Sequence, residues 1–171
     1  MRIKRKNSGK EWIAAVPEAP LKLGPLWVYG TDRGIAALEF GGDQNPLEPP
    51  PPAVLRIMEH TRQALAAYFG GDRRGFANLP LDPRGTDFQM RVWQELRRIP
   101  WGQTISYAEL ARRVGRPRAS RAVGQANARN PIPLIIPCHR VVAADGSLGG
   151  YSAGLDRKRW LLAHEGVRLP G

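Results

Sequence analysis

The stretch SYAELARRVGRPRASRAVGQAN, residues 106–127, predicts two short helices joined by a tight turn. The first helix starts with a Ser-x-x-Glu capping box and ends near Val114-Gly115. After the turn Arg116-Pro117, a second helix is predicted from about Arg118 to Asn127. Two helices joined by a short glycine-containing turn are typical of a helix-turn-helix.

The second of these helices is predicted to have a basic and flat surface. Small side chains allow a helix backbone to approach a groove closely, whereas a helix that reads the major groove usually carries several long side chains. The pattern therefore favours close contact over sequence readout, although alanine and glycine could equally pack against another helix. The contacting face is expected to comprise Arg118, Ala119, Arg121, Ala122 and Gln125.

The net charge of +11 is concentrated in the second half of the chain. Residues 84–171 carry 15 Lys and Arg against 6 Asp and Glu, whereas residues 1–83 carry 11 against 9. A basic surface can be a solvated face, bind lipids or bind a polyanion. Because no long amphipathic basic helix supports the membrane alternative, the charge favours nucleic acid as the partner.

The first half of the chain predicts a small antiparallel sheet covered by one helix. Short apolar runs between turn signals predict strands at Trp12–Val16, Leu26–Tyr29 and Gly34–Phe40. Pro49–Pro52 is expected to be an extended connector, because proline cannot continue a helix. Apolar residues then recur at helical spacing from about Ala53 to Phe69.

Residues 72–85 are rich in Gly, Pro and Asp and predict a boundary between two domains. A Thr-x-x-Gln capping box at Thr86 then opens an amphipathic helix. The sequence thus predicts an α+β protein with a sheet-and-helix domain over residues 1–80 and a helical domain over residues 81–171.

Cys138 is the only cysteine and lies in the run IIPCHRVV, residues 135–142. The thiolate is the nucleophilic form of cysteine, and neighbouring cationic or proton-accepting groups lower the thiol pKa from about 8.5 towards neutrality. Because His139 and Arg140 follow directly, we expect a reactive thiol with a lowered pKa. The alternative is a small buried apolar residue.

The composition limits which cofactors and which cellular compartment are expected. One cysteine cannot form an intramolecular disulfide, and the three histidines show no zinc-site spacing, so no metal or cofactor is expected. No segment approaches the roughly 18 to 20 apolar residues of a membrane span, and the basic start Met1–Lys6 precedes no apolar signal segment. We therefore expect a soluble, cytoplasmic protein with no membrane partner.

Four motifs together resemble the O6-alkylguanine-DNA alkyltransferases, which are also called methylated-DNA--protein-cysteine methyltransferases. PCHRVV at 137–142 is preceded by NPIP at 130–133 and followed by GYS at 150–152 and LLAHEG at 161–166. The resemblance covers residues from about 86 to 166 and includes the helix-turn-helix. The first half matches only in architecture, which in the family is a small ribonuclease H-like domain of sheet and helix.

The resemblance implies DNA repair by direct transfer of an alkyl group from O6 of guanine, and also from O4 of thymine, to the sulfur of Cys138. The transfer is irreversible, so each protein molecule acts once and is consumed. The implied partner is double-stranded DNA that contains O6-alkylguanine. The implied state is a monomer, with cooperative assembly on DNA left open.

The resemblance also assigns roles to individual residues. Glu165 orients His139, which takes the Cys138 proton through a bridging water. Asn130 hydrogen-bonds backbone groups across the turn before Cys138. Tyr107 donates its hydroxyl to guanine N3 and crowds the phosphate, which drives rotation of the nucleotide out of the duplex.

The helix-turn-helix is implied to occupy the minor groove, where Arg121 inserts into the base stack left by the rotated nucleotide. Backbone groups around Cys138 accept from the guanine amino group, and the segment 149–152 donates to O6. Ala153 departs from the glycine that the family often has there, which puts tolerance of bulky adducts in question. The implied pocket residues are Pro133, Val141, Tyr151, Ser152 and, near the rim, Lys158.

Three other classes of protein are weighed against this interpretation. A non-catalytic lesion binder of the alkyltransferase-like group lacks the cysteine, so Cys138 argues against it. A methylation-responsive transcription factor would be expected to carry a further DNA-binding domain or a cysteine cluster, and this sequence has neither. A cysteine peptidase usually has its base far along the chain from the nucleophile, unlike the adjacent Cys138 and His139.

Overall fold

The computed structural model describes residues 11–42 and 49–169, so the basic start at Met1–Lys6 lies outside the described residues. The first half forms an antiparallel sheet of three strands in the order β1-β2-β3. Each strand falls where short apolar runs between turn signals predict it, with ends moved by about one residue. The strands are β1 (Trp12–Ala15), β2 (Leu26–Gly30) and β3 (Ile35–Phe40).

Helix α1 (Pro52–Phe69) covers this sheet. A Cβ added at Gly30 of β2 would lie 2.9 Å from Met58 Cγ, so a glycine allows this close approach of helix and strand. The expectation of a connector through Pro52 is wrong by one residue, because Pro52 is the first helical position. The fixed φ of proline suits the first turn, where its missing N–H is not needed.

Four α-helices and two strands follow the connection over residues 70–86 in the part of the chain that the structure describes. Helix α2 (Asp87–Leu96) begins at the predicted capping box, in which Thr86 and Gln89 bond each other's backbone N–H. The strands β4 (Ile105–Ser106) and β5 (Val141–Val142) form a parallel pair that sequence patterns did not predict. The remaining helices are α3 (Tyr107–Arg113), α4 (Ser120–Ala128) and α5 (Leu155–His164).

Helices α3 and α4 form the predicted helix-turn-helix, with two corrections. Helix α4 begins at Ser120, so Arg118 lies in the turn before it. Ser106 accepts from the Glu109 N–H at 3.1 Å, but the Glu109 carboxylate bonds Arg112 instead of returning to the cap, so only half of the predicted box forms. Surface arginines one turn along the helix compete successfully for this carboxylate.

The two halves of the chain pack against each other through one continuous apolar core. A backbone hydrogen bond also joins them, since the Leu38 N–H donates to Pro131 O at 2.9 Å. A continuous core does not define where one domain ends and the next begins, so the boundary predicted at residue 81 stays a prediction. Among the described residues, no helix is both long enough and apolar enough to cross a membrane.

Candidate active site

A rigid loop between α4 and β5 presents Cys138. The loop ends in a single turn of 3-10 helix over Cys138–Arg140. Asn130 holds the loop from inside, because its Nδ2 donates to Ile136 O at 2.7 Å and its Oδ1 accepts from the Ile132 N–H at 3.0 Å. These are the backbone contacts across the turn that were expected of Asn130.

Helix α4 is tied directly to the cysteine segment. Asn127 Nδ2, on the buried side of the helix, donates to Cys138 O at 3.4 Å. Trp93 Nε1 of α2 donates to Ala126 O at 2.9 Å and fixes the same turn of α4. The helix that carries Arg121 and the residue that carries the thiol thus form one packed unit.

The Cys138 thiol is buried, with 1% of the residue exposed. Burial raises its pKa to about 11, although contacts with Asn130 and the nearby Lys158 ammonium act in the opposite direction. The expectation of a lowered thiol pKa is therefore wrong for the unbound protein. Removal from water disfavours the thiolate more than the neighbouring groups stabilise it.

Glu165 is the centre of a buried network behind the cysteine. Its Oε1 lies 2.8 Å from His139 Nε2, and its Oε2 accepts from Arg140 Nε at 2.8 Å. Tyr68 from α1 donates its hydroxyl to Oε1 at 2.7 Å. The carboxylate directly follows the last residue of α5, where the helix dipole disfavours an anion, and these donors compensate for that position.

The charges in this network fix the histidine tautomer. Burial alone would raise the pKa of Glu165, but hydrogen bonds from His139 and Arg140 hold it well below its ordinary value. Because an ionised carboxylate only accepts, His139 Nε2 carries the proton and Nδ1 carries the lone pair. Burial also lowers the His139 pKa, and Nδ1 has no hydrogen-bond partner in the described part of the chain.

Two members of the network were not assigned to it from sequence. Arg140 donates to both oxygens of Glu165 and, through Nη1, to Ile99 O at 2.5 Å. The sequence signal for Arg140 was its position next to His139. A cation there can pair with the acid at the end of α5, Glu165. No local signal points to Tyr68, because 97 positions separate it from Glu165.

Lys158 is fully buried, so the expected place near the pocket rim is wrong. Its Nζ donates to Val141 O at 2.5 Å, to Gly150 O at 3.2 Å and also to Leu148 O. Three carbonyls attract the ammonium inward and satisfy its three N–H donors. Burial lowers the Lys158 pKa to about 8, while the Cys138 thiol acts to raise it.

Tyr107 and the glycine segment close the site on the side of α3. The half-buried Tyr107 hydroxyl donates to Gly150 O at 3.4 Å. Gly149 has φ +63°, and a Cβ added there would lie 3.1 Å from Tyr107 Cε2, so a glycine is required on both counts. Burial raises the pKa of the Tyr151 hydroxyl well above its ordinary value, and the neighbouring Cys138 thiol acts in the same direction.

The structure brings most, but not all, of the predicted residues together. Pro133 and Val141 are buried in the loop and strand that flank Cys138, whereas Ser152 is exposed. On the outer face of the helix-turn-helix, Ala119 is half-buried. The exposed residues of that face are Arg118, Arg121, Ala122 and Gln125.

Family profiles match nearly the whole described chain. The profile described as 6-O-methylguanine DNA methyltransferase, DNA binding domain, matches residues 87–167. The profile described as 6-O-methylguanine DNA methyltransferase, ribonuclease-like domain, matches residues 19–83. The chain belongs to the 6-O-methylguanine DNA methyltransferase family. The resemblance and the α+β fold with a ribonuclease-like first part are thus confirmed.

Relatives of this family member match over almost their full length. The methylated-DNA--protein-cysteine methyltransferase of Methanosarcina acetivorans is 44% identical over 155 residues, which cover 89% of this chain and 97% of the relative. The crystal structure of Mycobacterium tuberculosis O6-methylguanine methyltransferase has a TM-score of 0.77 at 40% identity, covering 95% and 96% of the two chains. That of Mycobacterium tuberculosis OGT in complex with DNA has a TM-score of 0.73 at 43% identity, covering 88% and 91%.

Proposed function

We propose that this protein repairs DNA by transferring an alkyl group from O6 of guanine in double-stranded DNA to Cys138 Sγ. The observation that carries the proposal is the buried Cys138-His139-Glu165 arrangement beside a helix-turn-helix, in a member of this family. Thymine O4 is a second target of the same type, because it is also an alkylated oxygen on a base edge. A DNA-bound relative and the basic second half support DNA as the partner.

Proton removal from the thiol is the first step. Glu165 holds Nε2–H of His139, so Nδ1 is the basic nitrogen. A buried acceptor without a partner is a suitable site for an ordered water. One water between Nδ1 and Sγ would carry the thiol proton to the imidazole, as a base activates a cysteine nucleophile elsewhere.

Transfer of the alkyl group follows in one displacement. The sulfur forms a bond to the alkyl carbon as the bond from that carbon to O6 breaks, and the electron pair stays on the base. The Tyr107 hydroxyl, close to the site, would hydrogen-bond guanine N3 and reduce the charge on the leaving base. Lys158 and Asn130 stabilise the thiolate while it forms.

The product explains why the protein acts only once. Reversal would require water to displace the Cys138 thiolate from the alkyl carbon, and a thiolate is a poor leaving group in this reaction at neutral pH, so the alkyl group stays on the sulfur. The protein is therefore a stoichiometric reagent without a cofactor. We also infer that it works in the cytoplasm as a monomer, with cooperative assembly on DNA left open.

Access to the lesion requires rotation of the nucleotide out of the duplex, at a cost of a few kcal/mol. Helix α4 would lie in the minor groove, where its small Ala122 permits close approach. Arg121, exposed near the start of α4, would fill the gap in the base stack. Contacts to phosphates supply affinity without sequence preference, which suits damage that arises in any sequence.

Intact-protein mass spectrometry tests the proposal. The protein is incubated with a duplex oligonucleotide that contains one O6-methylguanine, beside a Cys138→Ser variant. We expect the wild type to gain one methyl group and to saturate at one per molecule, and the variant to gain none. Tight lesion binding without any mass gain would instead make the protein a recognition protein with a structural cysteine.

Arg121→Ala is expected to slow methyl transfer on duplex DNA by at least about tenfold, because the duplex recloses on the lesion. Transfer on a single-stranded oligonucleotide with the same lesion should change much less, because no stack must be opened. Arg118→Ala is the matched control: loss of a phosphate contact weakens binding and reduces the salt slope by about one on either substrate. Equal effects of both variants on both substrates would reduce Arg121 to a phosphate contact.

Methylation of Cys138 is expected to lower the free energy of unfolding by about 1–3 kcal/mol, because the sulfur is buried and an added methyl overpacks its surroundings. Urea unfolding of the methylated and unmethylated wild type measures the difference. The Cys138→Ser variant treated with the same DNA should show no change. Identical unfolding curves for both wild-type samples would contradict the expectation.

A further inference from the structure

Tyr68, in the last turn of α1, joins the ribonuclease-like first part of the chain to the candidate active site. Its hydroxyl donates to Glu165 Oε1 at 2.7 Å. The same oxygen lies 2.8 Å from His139 Nε2. One carboxylate oxygen therefore contacts both the imidazole and a phenol that comes from the other half of the molecule.

The packing of Tyr68 fixes its hydroxyl in place. The residue is 1% exposed, and its ring centroid lies 5.0 Å from that of Trp101 and 5.3 Å from that of Phe76. His164 Nε2 lies 2.8 Å from the Tyr68 carbonyl oxygen. Two successive residues at the end of α5, His164 and Glu165, thus bind the backbone and the hydroxyl of the same tyrosine.

Resting on the proposed alkyl transfer, we propose that Tyr68 is a positioning residue whose hydroxyl holds the Glu165 carboxylate in the orientation that directs His139 Nδ1 towards the cysteine proton. Arg140 binds both carboxylate oxygens and supplies the compensating charge. The neutral hydroxyl adds a third hydrogen bond to Oε1, and this bond restricts rotation of the carboxylate. The first part of the chain thereby contributes to the chemistry as well as to packing.

The hydroxyl also controls how strongly Glu165 attracts the imidazole proton. Burial and the Glu165 charge raise the Tyr68 pKa well above its ordinary value, so the hydroxyl keeps its proton and donates it. A donor on Oε1 draws negative charge away from His139. Removal of the hydroxyl should therefore raise the His139 pKa. Removal of the Tyr68 hydroxyl leaves unchanged the other ionisable groups that act on His139 or Glu165, which are Arg140, Lys158 and Tyr151.

Tyr68→Phe tests the proposal, and Tyr29→Phe is its matched control. Tyr29 is also buried and donates to a carboxylate, Glu39 Oε2, at the same 2.7 Å, but it lies in the sheet. Both variants lose a tyrosine–carboxylate hydrogen bond, so both are expected to lose stability. The measurements are the single-turnover rate of methyl transfer against pH, the affinity for lesion DNA, and the His139 pKa by NMR titration of the unbound protein.

We expect Tyr68→Phe alone to slow transfer by about three- to tenfold, the worth of one hydrogen bond, with unchanged DNA affinity. The acid limb of its rate profile and the His139 pKa should both move to higher pH. A wild-type rate profile and His139 titration for Tyr68→Phe would overturn the proposal. An equal loss of rate in Tyr29→Phe would do the same, because it would assign the effect to stability.

A second variant keeps the hydroxyl and serves where Tyr68→Phe does not fold. 3-Fluorotyrosine at position 68 has a more acidic hydroxyl and so donates more strongly, with little change in volume. The His139 pKa should then move to lower pH, opposite to Tyr68→Phe, and no movement would overturn the proposal. The titration does not require methyl transfer. A wild type that gained no methyl group would therefore contradict the proposed function, and the titration would still test the role of Tyr68.

Discussion

Glu165→Gln is expected to slow methyl transfer by about a hundredfold or more and to lower the free energy of unfolding by about 3–5 kcal/mol. Both effects have the same origin. The carboxylate fixes the tautomer of His139, and it neutralises the buried Arg140 guanidinium. A carboxylate has two acceptor oxygens, whereas a glutamine amide has one oxygen and one NH2 group. In the variant, the NH2 group therefore faces a donor of His139 or of Arg140. Arg140 then stays buried and charged without an anionic partner.

The rate of single-turnover methyl transfer and urea unfolding measure these two effects. Glu109→Gln is the matched control, since Glu109 is also a carboxylate bound by basic side chains, those of Arg112 and Arg113, but at the surface. Screened surface pairs contribute little, so this control should keep both rate and stability close to the wild type. A Glu165→Gln protein with the wild-type rate would show that His139 does not need the carboxylate.

The pH dependence of stability gives an independent check with a defined sign. Because the Glu165 pKa is lowered in the folded protein, its contribution is present above the unfolded pKa of about 4.3 and is lost as the pH falls through the lower folded value. The difference in unfolding free energy between wild type and Glu165→Gln should therefore be constant near neutrality. It should shrink once the pH falls below about 4.3.

Lys158→Met is the other substitution with a large expected effect. Methionine can fill the space of the lysine stem, but it leaves the carbonyls of Val141, Leu148 and Gly150 without their donor. One buried unsatisfied acceptor costs about 1–3 kcal/mol, so we expect a loss of about 2–4 kcal/mol. Transfer should slow by at least about tenfold, because the segment before Tyr151 is released and the thiolate loses a nearby positive charge.

Chemical denaturation and single-turnover kinetics test this expectation. Lys22→Met is the control, because Lys22 is exposed and its replacement should change stability by no more than about 0.5 kcal/mol. If Lys158→Met were as stable and as fast as this control, the buried ammonium would be dispensable. Loss of rate with full stability would assign Lys158 to the thiolate alone.

The elements that could be predicted are those with a local signal. Short apolar runs between turn signals predicted β1, β2 and β3. Helical spacing predicted α1, and a capping box with helical spacing predicted α2. The two-residue strands β4 and β5 are too short for any period to show, and they pair across more than 30 positions. Their contact follows from tertiary packing and not from propensity.

Several residues of the site could be predicted from the sequence, but Arg140, Tyr68 and the electrostatics of the site could not. Residues next to Cys138 in sequence indicated a reactive thiol, yet the thiol pKa depends on burial, which the surrounding fold determines. The family resemblance placed Lys158 near the pocket rim, and a lysine is almost never buried unless paired. Its three partners are carbonyls, and main-chain acceptors leave no trace in a sequence. The roles of the individual site residues, including Tyr107 and Asn130, stay predictions until variants are measured.

For the proposed single-use chemistry, the burial of Cys138 bears on how long the unreacted protein stays active. Peroxides and small electrophiles attack the thiolate, and an exposed thiolate would be oxidised or capped before any lesion was met. A protonated sulfur, 1% exposed and with a pKa near 11, is protected against such side reactions. The low reactivity of the protonated thiol therefore preserves the nucleophile in the resting protein. Under the proposed function, each molecule thereby stays unreacted until it meets an alkylated base in DNA.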